Sequence, residues 1–373
     1  MNLWHHLYVF VFVAGMIATL CLTPLFQRLA EMTGFMDRPQ CEGHKGHRKA
    51  IPLLGGAAMF CSWMLLIIVS WIAVKTMSTD GMFSSIAGNL GGIKLVSTRL
   101  LIICLGALGA TVLGLIDDRF GMRAYIKFGG QFVIAAVVVI FAKVQISAFF
   151  SNPVIISTIS ILWFMLLMNA VNFLDNMDGL AVGTVTIAMI LFAVVAGING
   201  QFFVATLAAL TSGVGVGFWF FNHSPATIFM GDSGSHLLGY LLAVISASVT
   251  FYSSVKSNSL FSILVPLFIL AVLLFDTLAV VVIRFKAGKP IYVGDHNHIS
   301  HRFVKMGMSR KHAVFMVHLL ALLLGLSVLP ILWGDFKIAL ICIIQAILLL
   351  VLVSLLQFSL IKDKSIDAKI KID

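Results

Sequence analysis

Charged residues are scarce in this chain. Asp, Glu, Lys and Arg make up only 11% of the 373 residues, whereas 60% are hydrophobic, and apolar runs of about 20 residues recur along the sequence. This composition excludes a water-soluble protein and is typical of a chain that crosses a membrane many times.

Paired cysteines and a charged leader are also missing. The five cysteines form no Cys-x-x-Cys pair and four lie inside apolar segments, so neither a disulfide framework nor a zinc site is indicated. No Lys or Arg precedes the first apolar run, so we expect the first helix to stay in the protein. Because no repeat or long linker divides the chain, we predict a single membrane domain over 1–373.

The apolar runs predict an all-α polytopic membrane protein with about eleven transmembrane helices. We place them near 7–26, 53–74, 99–116, 128–150, 154–174, 180–197, 202–221, 237–252, 260–283, 313–333 and 337–360. The polar motifs between 37 and 302 then lie on loops and helix ends, and 313–373 contributes the last two helices and a tail.

The distribution of basic residues predicts the orientation. If the loop at 28–52 is cytoplasmic, the cytoplasmic side carries 19 of the 25 Lys and Arg residues. This is the positive-inside pattern, and it places the N-terminus outside and the C-terminus in the cytoplasm. The net charge of +10 is therefore an orientation signal and a fit to anionic lipid, and it does not indicate nucleic-acid binding.

Three acidic motifs fall on this predicted cytoplasmic face. They are Asp117-Asp118, the segment 172–179 with two aspartates, and the segment 229–235 around Asp232. Taken separately, they read equally well as a solvated helix end, a structural turn and a capped helix N-terminus. Together they bring like charges to one face, which is costly unless a cation neutralises them. Carboxylate oxygens suit Mg²⁺, and substrate phosphates complete its shell.

The predicted loop at 284–312 supplies the opposite charge. It is rich in Lys and Arg and holds His296, His298 and His301 in an H-x-H-x-x-H pattern. A positive-inside loop with incidental histidines is the simpler interpretation, and a zinc site is disfavoured because no Cys accompanies them. Facing the acidic motifs, however, these groups suit phosphate binding. Basic residues of the 28–52 loop, among them Lys49, form a second candidate anion contact.

These motifs resemble those of the polyprenyl-phosphate N-acetylhexosamine-1-phosphate transferases, a family of the glycosyltransferase family 4 type. The resemblance is carried by Gly114-Leu-Ile-Asp-Asp-Arg-Phe, Asn169-Ala-Val-Asn-Phe-Leu-Asp-Asn-Met-Asp-Gly-Leu180, Phe221-Asn-His-Ser-Pro-Ala-Thr-Ile-Phe-Met-Gly-Asp-Ser-Gly-Ser235 and Asp295-His-Asn-His-Ile-Ser-His-Arg302. It extends in family order from Asp37 to about Val314.

The resemblance implies a transfer of sugar 1-phosphate from a UDP-N-acetylhexosamine to undecaprenyl phosphate at the bacterial cytoplasmic membrane, with release of UMP. It implies Mg²⁺ as cofactor, with Mn²⁺ as an expected substitute, and it leaves a homodimer open. The implied catalytic residues are Asp117, Asp118, Asp232 and His301, of which Asp232, Asp117 and Asp118 also lie at the metal. The implied substrate-binding residues are Lys49, Lys127, Asn172, Asp175, Asp178, Asn222, Phe229, His298 and Arg302.

The last motif departs from the pattern of many relatives, because His296 stands where they have Arg and Ser300 stands in place of the middle His. The absence of a continuous His triplet favours N-acetylglucosamine-1-phosphate transfer at the start of a surface polysaccharide over the alternative, a phospho-N-acetylmuramoyl-pentapeptide transferase. An alternative of another class is an ion-coupled transporter that uses Asp276 and His318, since ionisable groups within membrane spans usually mark function.

Overall fold

The computed structural model describes residues 3–37, 50–76, 90–146, 150–249, 263–288 and 297–370. Within these ranges the chain forms helices α1 (Leu3–Thr33), α2 (Gly55–Thr76), α3 (Leu90–Phe120), α4 (Ala124–Phe141), α5 (Pro153–Leu174), α6 (Leu180–Ile198), α7 (Phe202–Asn222), α8 (Gly231–Ser248), α9 (Val265–Ile269), α10 (Ala271–Lys286), α11 (Ile299–Lys305), α12 (Arg310–Leu326), α13 (Val328–Trp333) and α14 (Phe336–Ile370). Two short strands, β1 (Met36–Asp37) and β2 (Ile51–Pro52), pair antiparallel. The predicted all-α class is confirmed.

Nine helical segments of the described ranges are long and apolar enough to cross a membrane. The multi-pass architecture is therefore confirmed, but two of the eleven predicted spans take another form. The predicted eighth span is α8, which starts with the polar sequence Gly-Asp-Ser-Gly-Ser-His and is less apolar than a typical span. The predicted ninth is divided at Leu270 into α9 and α10, which are shorter than a span.

The third helix extends further than the sequence predicted. We expected a span that ended at 116, followed by Asp117 and Asp118 in a loop, but α3 continues to Phe120. The two carboxylates find partners in other helices, as described below, so the last turn of α3 does not need to unwind into solvent. Both aspartates therefore sit on a helix that the bundle holds in place.

Helix α8 forms the centre of the bundle. Its residues from Ser233 to Ser246 are all buried, and it packs against α2, α3 and α5. Glycine makes the closest approach possible, because a Cβ atom at Gly114 of α3 would clash with the backbone of Ser233. The first turn of α8 consequently lies directly against the last turns of α3.

The segment before α8 is anchored by backbone hydrogen bonds. The Phe229 N–H donates to the carbonyl of Pro52 at 2.9 Å, and the Phe229 carbonyl accepts from the Gly55 N–H at 3.1 Å. The Gly56 N–H donates in the same way to Met230 at 3.1 Å. These bonds tie the entry to α8 to the start of α2 and fix the backbone of Phe229.

Candidate active site

A cavity of about 950 Å³ opens beside the first turn of α8. Its walls come from the end of α3, the turn between α5 and α6, the loop between α7 and α8, and the start of α12. The described residues that line it include the carboxylates Asp37, Asp118, Asp175, Asp178 and Asp232, the aromatic residues Trp219 and Phe229, and the basic residues Arg310 and Lys311. The three acidic motifs that lie far apart in the sequence thus meet around one space.

Lys127 links two of these motifs. Its ammonium lies 2.8 Å from Oδ2 of Asp117 and 2.6 Å from Oδ2 of Asp232. The sequence led us to expect Lys127 at a substrate phosphate and Asp117 at a metal. In the structure the lysine neutralises the two carboxylates, which would otherwise repel each other, and its role at a substrate phosphate stays a prediction.

Asp232 is held from its other oxygen as well. The Asn172 side-chain amide donates to Oδ1 at 2.6 Å and to the Ser235 hydroxyl at 3.0 Å. Residues Lys127, Asn172 and Asp232 come from α4, α5 and α8, and we call these three the charged layer. Hydrogen bonds to an ionised carboxylate are stronger than neutral ones, so this layer fixes the Asp232 side chain firmly.

Asp118 caps the N-terminus of α8. Its Oδ1 accepts from the Asp232 N–H at 2.7 Å and its Oδ2 accepts from the Ser233 N–H at 3.0 Å. Gly231 precedes these donors with a φ of 64°, a conformation that disfavours other residues, and an added Cβ there would meet the Asp118 carboxylate. A carboxylate at a helix N-terminus is stabilised by the free N–H groups and the helix dipole.

Asp175 differs from its neighbours because no described cation or hydrogen-bond donor contacts its carboxylate. Burial, together with the charges of Asp232, Asp118 and Asp178, raises the pKa of Asp175 to about 8. Asp178, in contrast, accepts a hydrogen bond from the Ala226 N–H at 3.1 Å and holds the loop between α7 and α8.

The carboxylate of Asp175, next to that of Asp232, is the feature of this cavity that suits a divalent cation. Among the described residues no group of three His, Cys, Asp or Glu side chains is already arranged as a metal site. Lys127 occupies the space between Asp117 and Asp232, and both oxygens of Asp118 accept backbone N–H groups. The unneutralised carboxylate of Asp175, close to the charge of Asp232, is the feature that a hard cation such as Mg²⁺ would relieve.

Two further predicted residues shape another side of the cavity. Phe229 lines it and is positioned by the backbone bonds to α2. The Asn222 amide accepts from the Gly179 N–H at 3.1 Å and donates to the Ile228 carbonyl at 2.9 Å. Asn222 therefore holds the start of α6 and the loop before Phe229 together.

The residues predicted from the last motif lie beside the cavity and do not line it. His298 is buried, and its Nδ1 is 2.7 Å from Oδ2 of Asp276. The other oxygen of Asp276 accepts from the Ile299 N–H at 2.6 Å. Ser300 donates to Asn176 at 2.7 Å, which joins this motif to the cavity wall. Asp276, the residue considered for transport, thus orients His298.

His301 and Arg302 belong to the same short helix, α11. Arg302 is buried, and the His301 ring centroid lies 6.4 Å from that of His298. Their proposed roles at the substrate stay predictions. Lys49 and His296 fall outside the described residues.

Some residues at the cavity were not predicted as site residues, although His223 lies within one of the motifs given above. The ring of Trp219 stacks on that of His223 with centroids 5.0 Å apart, and His318 lines the cavity near the start of α6. Arg310 and Lys311, which belong to the predicted basic loop at 284–312, line the cavity from the first turn of α12. A tryptophan and a histidine four residues apart on one helix were the available signal for the first pair.

The chain matches known proteins over this same region. Residues 100–250 match the model of glycosyl transferase family 4. The chain is 30% identical over 328 residues to a probable undecaprenyl-phosphate N-acetylglucosaminyl 1-phosphate transferase of Bacillus subtilis (strain 168), which covers 86% of this chain and 83% of that protein.

Two other relatives carry related names. A decaprenyl-phosphate N-acetylglucosaminephosphotransferase of Mycobacterium leprae (strain TN) is 29% identical over 73% of this chain and 71% of its own. A phospho-N-acetylmuramoyl-pentapeptide-transferase of Lactobacillus johnsonii is 29% identical over 87% of this chain and 98% of its own. By its family match and its coverage of the Bacillus protein, the chain belongs to glycosyl transferase family 4, the polyprenyl-phosphate N-acetylhexosamine-1-phosphate transferases.

Proposed function

We propose that this multi-pass membrane protein transfers N-acetylglucosamine-1-phosphate from UDP-N-acetylglucosamine to undecaprenyl phosphate. The products are UMP and a lipid-linked sugar diphosphate that initiates synthesis of a cell-surface polysaccharide. The observation that carries the proposal is the meeting of Lys127, Asp117 and Asp232 beside a 950 Å³ cavity. It occurs in a chain that is similar to an N-acetylglucosaminyl 1-phosphate transferase over most of its length.

The reaction brings two anions together. An oxygen of the lipid phosphate attacks the phosphorus that carries the sugar. The bond from that phosphorus to the oxygen shared with the nucleoside phosphate breaks, and UMP leaves with the electron pair. Because attacking and leaving groups are both negative, catalysis consists mainly of in-line positioning and of positive charge at the reacting phosphorus. Lys127 supplies one such charge from within the charged layer.

Mg²⁺ is proposed as the second positive charge. When bound, it would offset the charge of the transferred phosphate and help to align the reactants. Asp175 and Asp232 are the favoured ligands, since Asp175 has no partner among the described residues and Asp232 stands next to it. Asp117 and Asp118 are less suitable as direct ligands, because Asp117 does not line the cavity and both oxygens of Asp118 accept backbone N–H groups.

Phe229 is the proposed platform for the uracil base. An aromatic face next to Asp232 can stack on the base and exclude water from the reacting phosphates. Asp178 and Asn222 support this side indirectly, because both hold the loop that leads to Phe229. Trp219 offers a second aromatic surface in the same cavity.

The proposed orientation puts this cavity on the cytoplasmic side of a bacterial inner membrane. The support is the positive-inside distribution of Lys and Arg, together with the cytoplasmic supply of nucleotide sugars. The bacterial relatives agree with a bacterial membrane setting.

A second candidate is transfer of phospho-N-acetylmuramoyl-pentapeptide to the same lipid. It is favoured by the similarity to the Lactobacillus johnsonii protein, whose length is covered almost completely. The two candidates share the lipid phosphate and the phosphoryl chemistry, and they differ only in the sugar.

In the test, the purified protein is incubated with undecaprenyl phosphate, Mg²⁺ and one of two donors. The donor is either UDP-N-acetylglucosamine or UDP-N-acetylmuramoyl-pentapeptide. We expect UMP and a lipid-linked product with the first donor and little with the second. An Asp232→Asn variant should fold normally and make little product. Product formation only with the pentapeptide donor would select the second candidate, and uptake of the nucleotide sugar into vesicles without any lipid-linked product would reject both.

A further inference from the structure

A second polar layer lies one helical turn below the charged layer. It consists of Gln131 on α4, Asn169 on α5 and His236 on α8, and we call it the buried layer. Each member is three or four positions from the charged-layer residue of the same helix. Residues at this spacing share one helix face. The same three helix faces therefore carry both layers, one directly beneath the other.

Hydrogen bonds connect the buried layer to Asp232. The Asn169 side-chain amide donates to Oε1 of Gln131 at 2.6 Å and to the Met165 carbonyl at 2.7 Å. Nε2 of Gln131 lies 2.9 Å from Nε2 of His236. Nδ1 of His236 lies 2.6 Å from the backbone carbonyl of Asp232. These contacts therefore lead to Asp232, whose carboxylate accepts hydrogen bonds from Lys127 and Asn172.

The partners determine the direction of these bonds. The Asp232 carbonyl can only accept, so Nδ1 of His236 carries a proton and donates it. The Gln131 amide nitrogen can only donate, so Nε2 of His236 accepts and carries none. His236 is therefore a neutral imidazole in its Nδ1–H form. The bonds from Asn169 to Gln131, from Gln131 to His236 and from His236 to Asp232 therefore run in one direction. Asn169 also donates to the Met165 carbonyl, and Gln131 donates back to Oδ1 of Asn169 at 3.4 Å.

Close packing of the helices does not require polar side chains at these buried positions. Gln131 and His236 are fully buried in the bundle. Buried polar groups are costly unless each is hydrogen-bonded, and apolar side chains of similar size would fill the same space without that cost. A connected polar network, in contrast, fixes the relative rotation and height of the three helices that it joins. Those are the helices that carry Lys127, Asn172 and Asp232.

We propose that Gln131, Asn169 and His236 are positioning residues that set the geometry of the charged layer for phosphoryl transfer. They act through Asp232 and touch no substrate. The proposal rests on the proposed function for its kinetic readout. A displacement of a catalytic group by about 1 Å costs roughly 100-fold in rate, so a layer that fixes Asp232 affects turnover far more than substrate binding.

The decisive variant is Gln131→Leu combined with His236→Leu, which removes both partners of their shared hydrogen bond. The Asn169 amide keeps its bond to the Met165 carbonyl, and the Asp232 carbonyl keeps the bond from the Ser235 hydroxyl. We expect its thermal unfolding midpoint to stay near that of the parent protein. We expect kcat to fall by about 10- to 100-fold, while KM for both substrates changes by less than about 3-fold. A Ser246→Ala variant, which removes a hydrogen bond with Trp163 at the far end of α8, should keep the parental kcat.

A conservative variant separates positioning from folding. His236→Gln retains one donor for the Asp232 carbonyl and one acceptor for Gln131, so we expect kcat within about 5-fold of the parent. His236→Leu alone should lose both kcat and stability, because it leaves the Gln131 amide without its acceptor. The proposal is overturned if the double leucine variant folds and keeps parental kcat, or if His236→Gln is no more active than His236→Leu.

A spectroscopic measurement tests the network without any reaction. In protein labelled with ¹⁵N-histidine, the His236 signals are identified by their loss in His236→Gln. We expect a protonated Nδ1 and an unprotonated Nε2 at pH 7, with the Nε2 signal shifted by Gln131→Leu. A protonated Nε2 would overturn the proposal. A parent protein that shows this signature but makes no lipid-linked product would instead reject the proposed function.

Discussion

The ammonium of Lys127 in α4 lies 2.6 Å from Oδ2 of Asp232 in α8, although the two residues are 105 positions apart in the chain. The same ammonium contacts Asp117 of α3 at 2.8 Å. One lysine thus joins three helices beside the first turn of α8.

The first prediction concerns Lys127. In Lys127→Gln, the Asp117 and Asp232 carboxylates lose their shared cation and the reacting phosphates lose a positive charge. We expect kcat to fall by about 100-fold or more, the range seen when one preorganised electrostatic contact is removed. The same substitution at the exposed Lys143, beyond the end of α4, should leave kcat unchanged. Comparable kcat values of the two folded variants would show that Lys127 does not contribute to catalysis.

The second prediction concerns pH and Asp175, whose pKa is raised by burial and neighbouring carboxylates to about 8 in the folded protein from its ordinary value of 3.8. The protonated form is the stable one in the folded state without metal. The contribution of protonated Asp175 to the free energy of unfolding is therefore fully present below about pH 4 and is lost as the pH rises through 8. In EDTA, the thermal unfolding midpoint should fall between pH 5 and 8.5, and Asp175→Asn should reduce that fall.

Mg²⁺ should reverse this pH effect, because the cation and the proton compete for the same carboxylate. We expect apparent Mg²⁺ affinity, measured by the shift in unfolding midpoint, to increase up to about pH 8 and then to level off. In Asp175→Asn the shift should be smaller and nearly independent of pH. An equal Mg²⁺ shift in the parent and in Asp175→Asn at every pH would exclude Asp175 as a ligand.

Much of the helical architecture could be predicted because long apolar runs leave few alternatives in a membrane. Helices α5 to α7 begin and end within a few residues of their predicted positions: α5 begins at Pro153 and ends before Asp175, and α7 ends at Asn222. The meeting of the three acidic motifs also followed from their placement on one predicted face. These features depend only on the local sequence and on which side of the membrane each loop lies.

The contacts within the site could not be predicted in the same way. Lys127 was predicted to lie in a loop, whereas the structure puts it on α4 between two carboxylates. The pairing of His298 with Asp276 depends on how α10 packs beside α11. The buried layer could not be predicted, because a single Gln or His within an apolar helix does not indicate which other helix supplies its hydrogen-bond partner.

The third prediction concerns Asp276, which accepts hydrogen bonds from His298 and from the Ile299 N–H. If His298 contacts the phosphates or sugar, Asp276→Asn should weaken its orientation and lower kcat by about 10-fold. Asp335→Asn, at an exposed helix start near the other end of the bundle, serves as the matched control. If the transporter alternative were correct, the parent protein would show coupled uptake without any lipid-linked product, and Asp276→Asn would abolish that uptake.

The fourth prediction concerns orientation. Single cysteines replace the exposed Arg123, Lys305 and Lys143 in an active background that lacks the five native cysteines. In intact cells, impermeant thiol reagents should label the cysteine at position 143 and spare those at 123 and 305, since the basic residues at the latter two belong to the predicted cytoplasmic majority. Inverted vesicles should give the opposite pattern. Labelling of position 123 or 305 from outside would put the cavity on the wrong side for nucleotide sugars.

The most direct test of the central claim follows the phosphorus atom itself. Purified protein receives undecaprenyl phosphate, Mg²⁺ and UDP-N-acetylglucosamine labelled with ³²P in the phosphate next to the sugar. Transfer of sugar 1-phosphate predicts that the label moves entirely to the lipid and that the released nucleotide is unlabelled UMP, with Lys127→Gln much slower than the parent. Release of labelled UDP with an unlabelled lipid sugar would mean transfer of the sugar alone and would contradict the account.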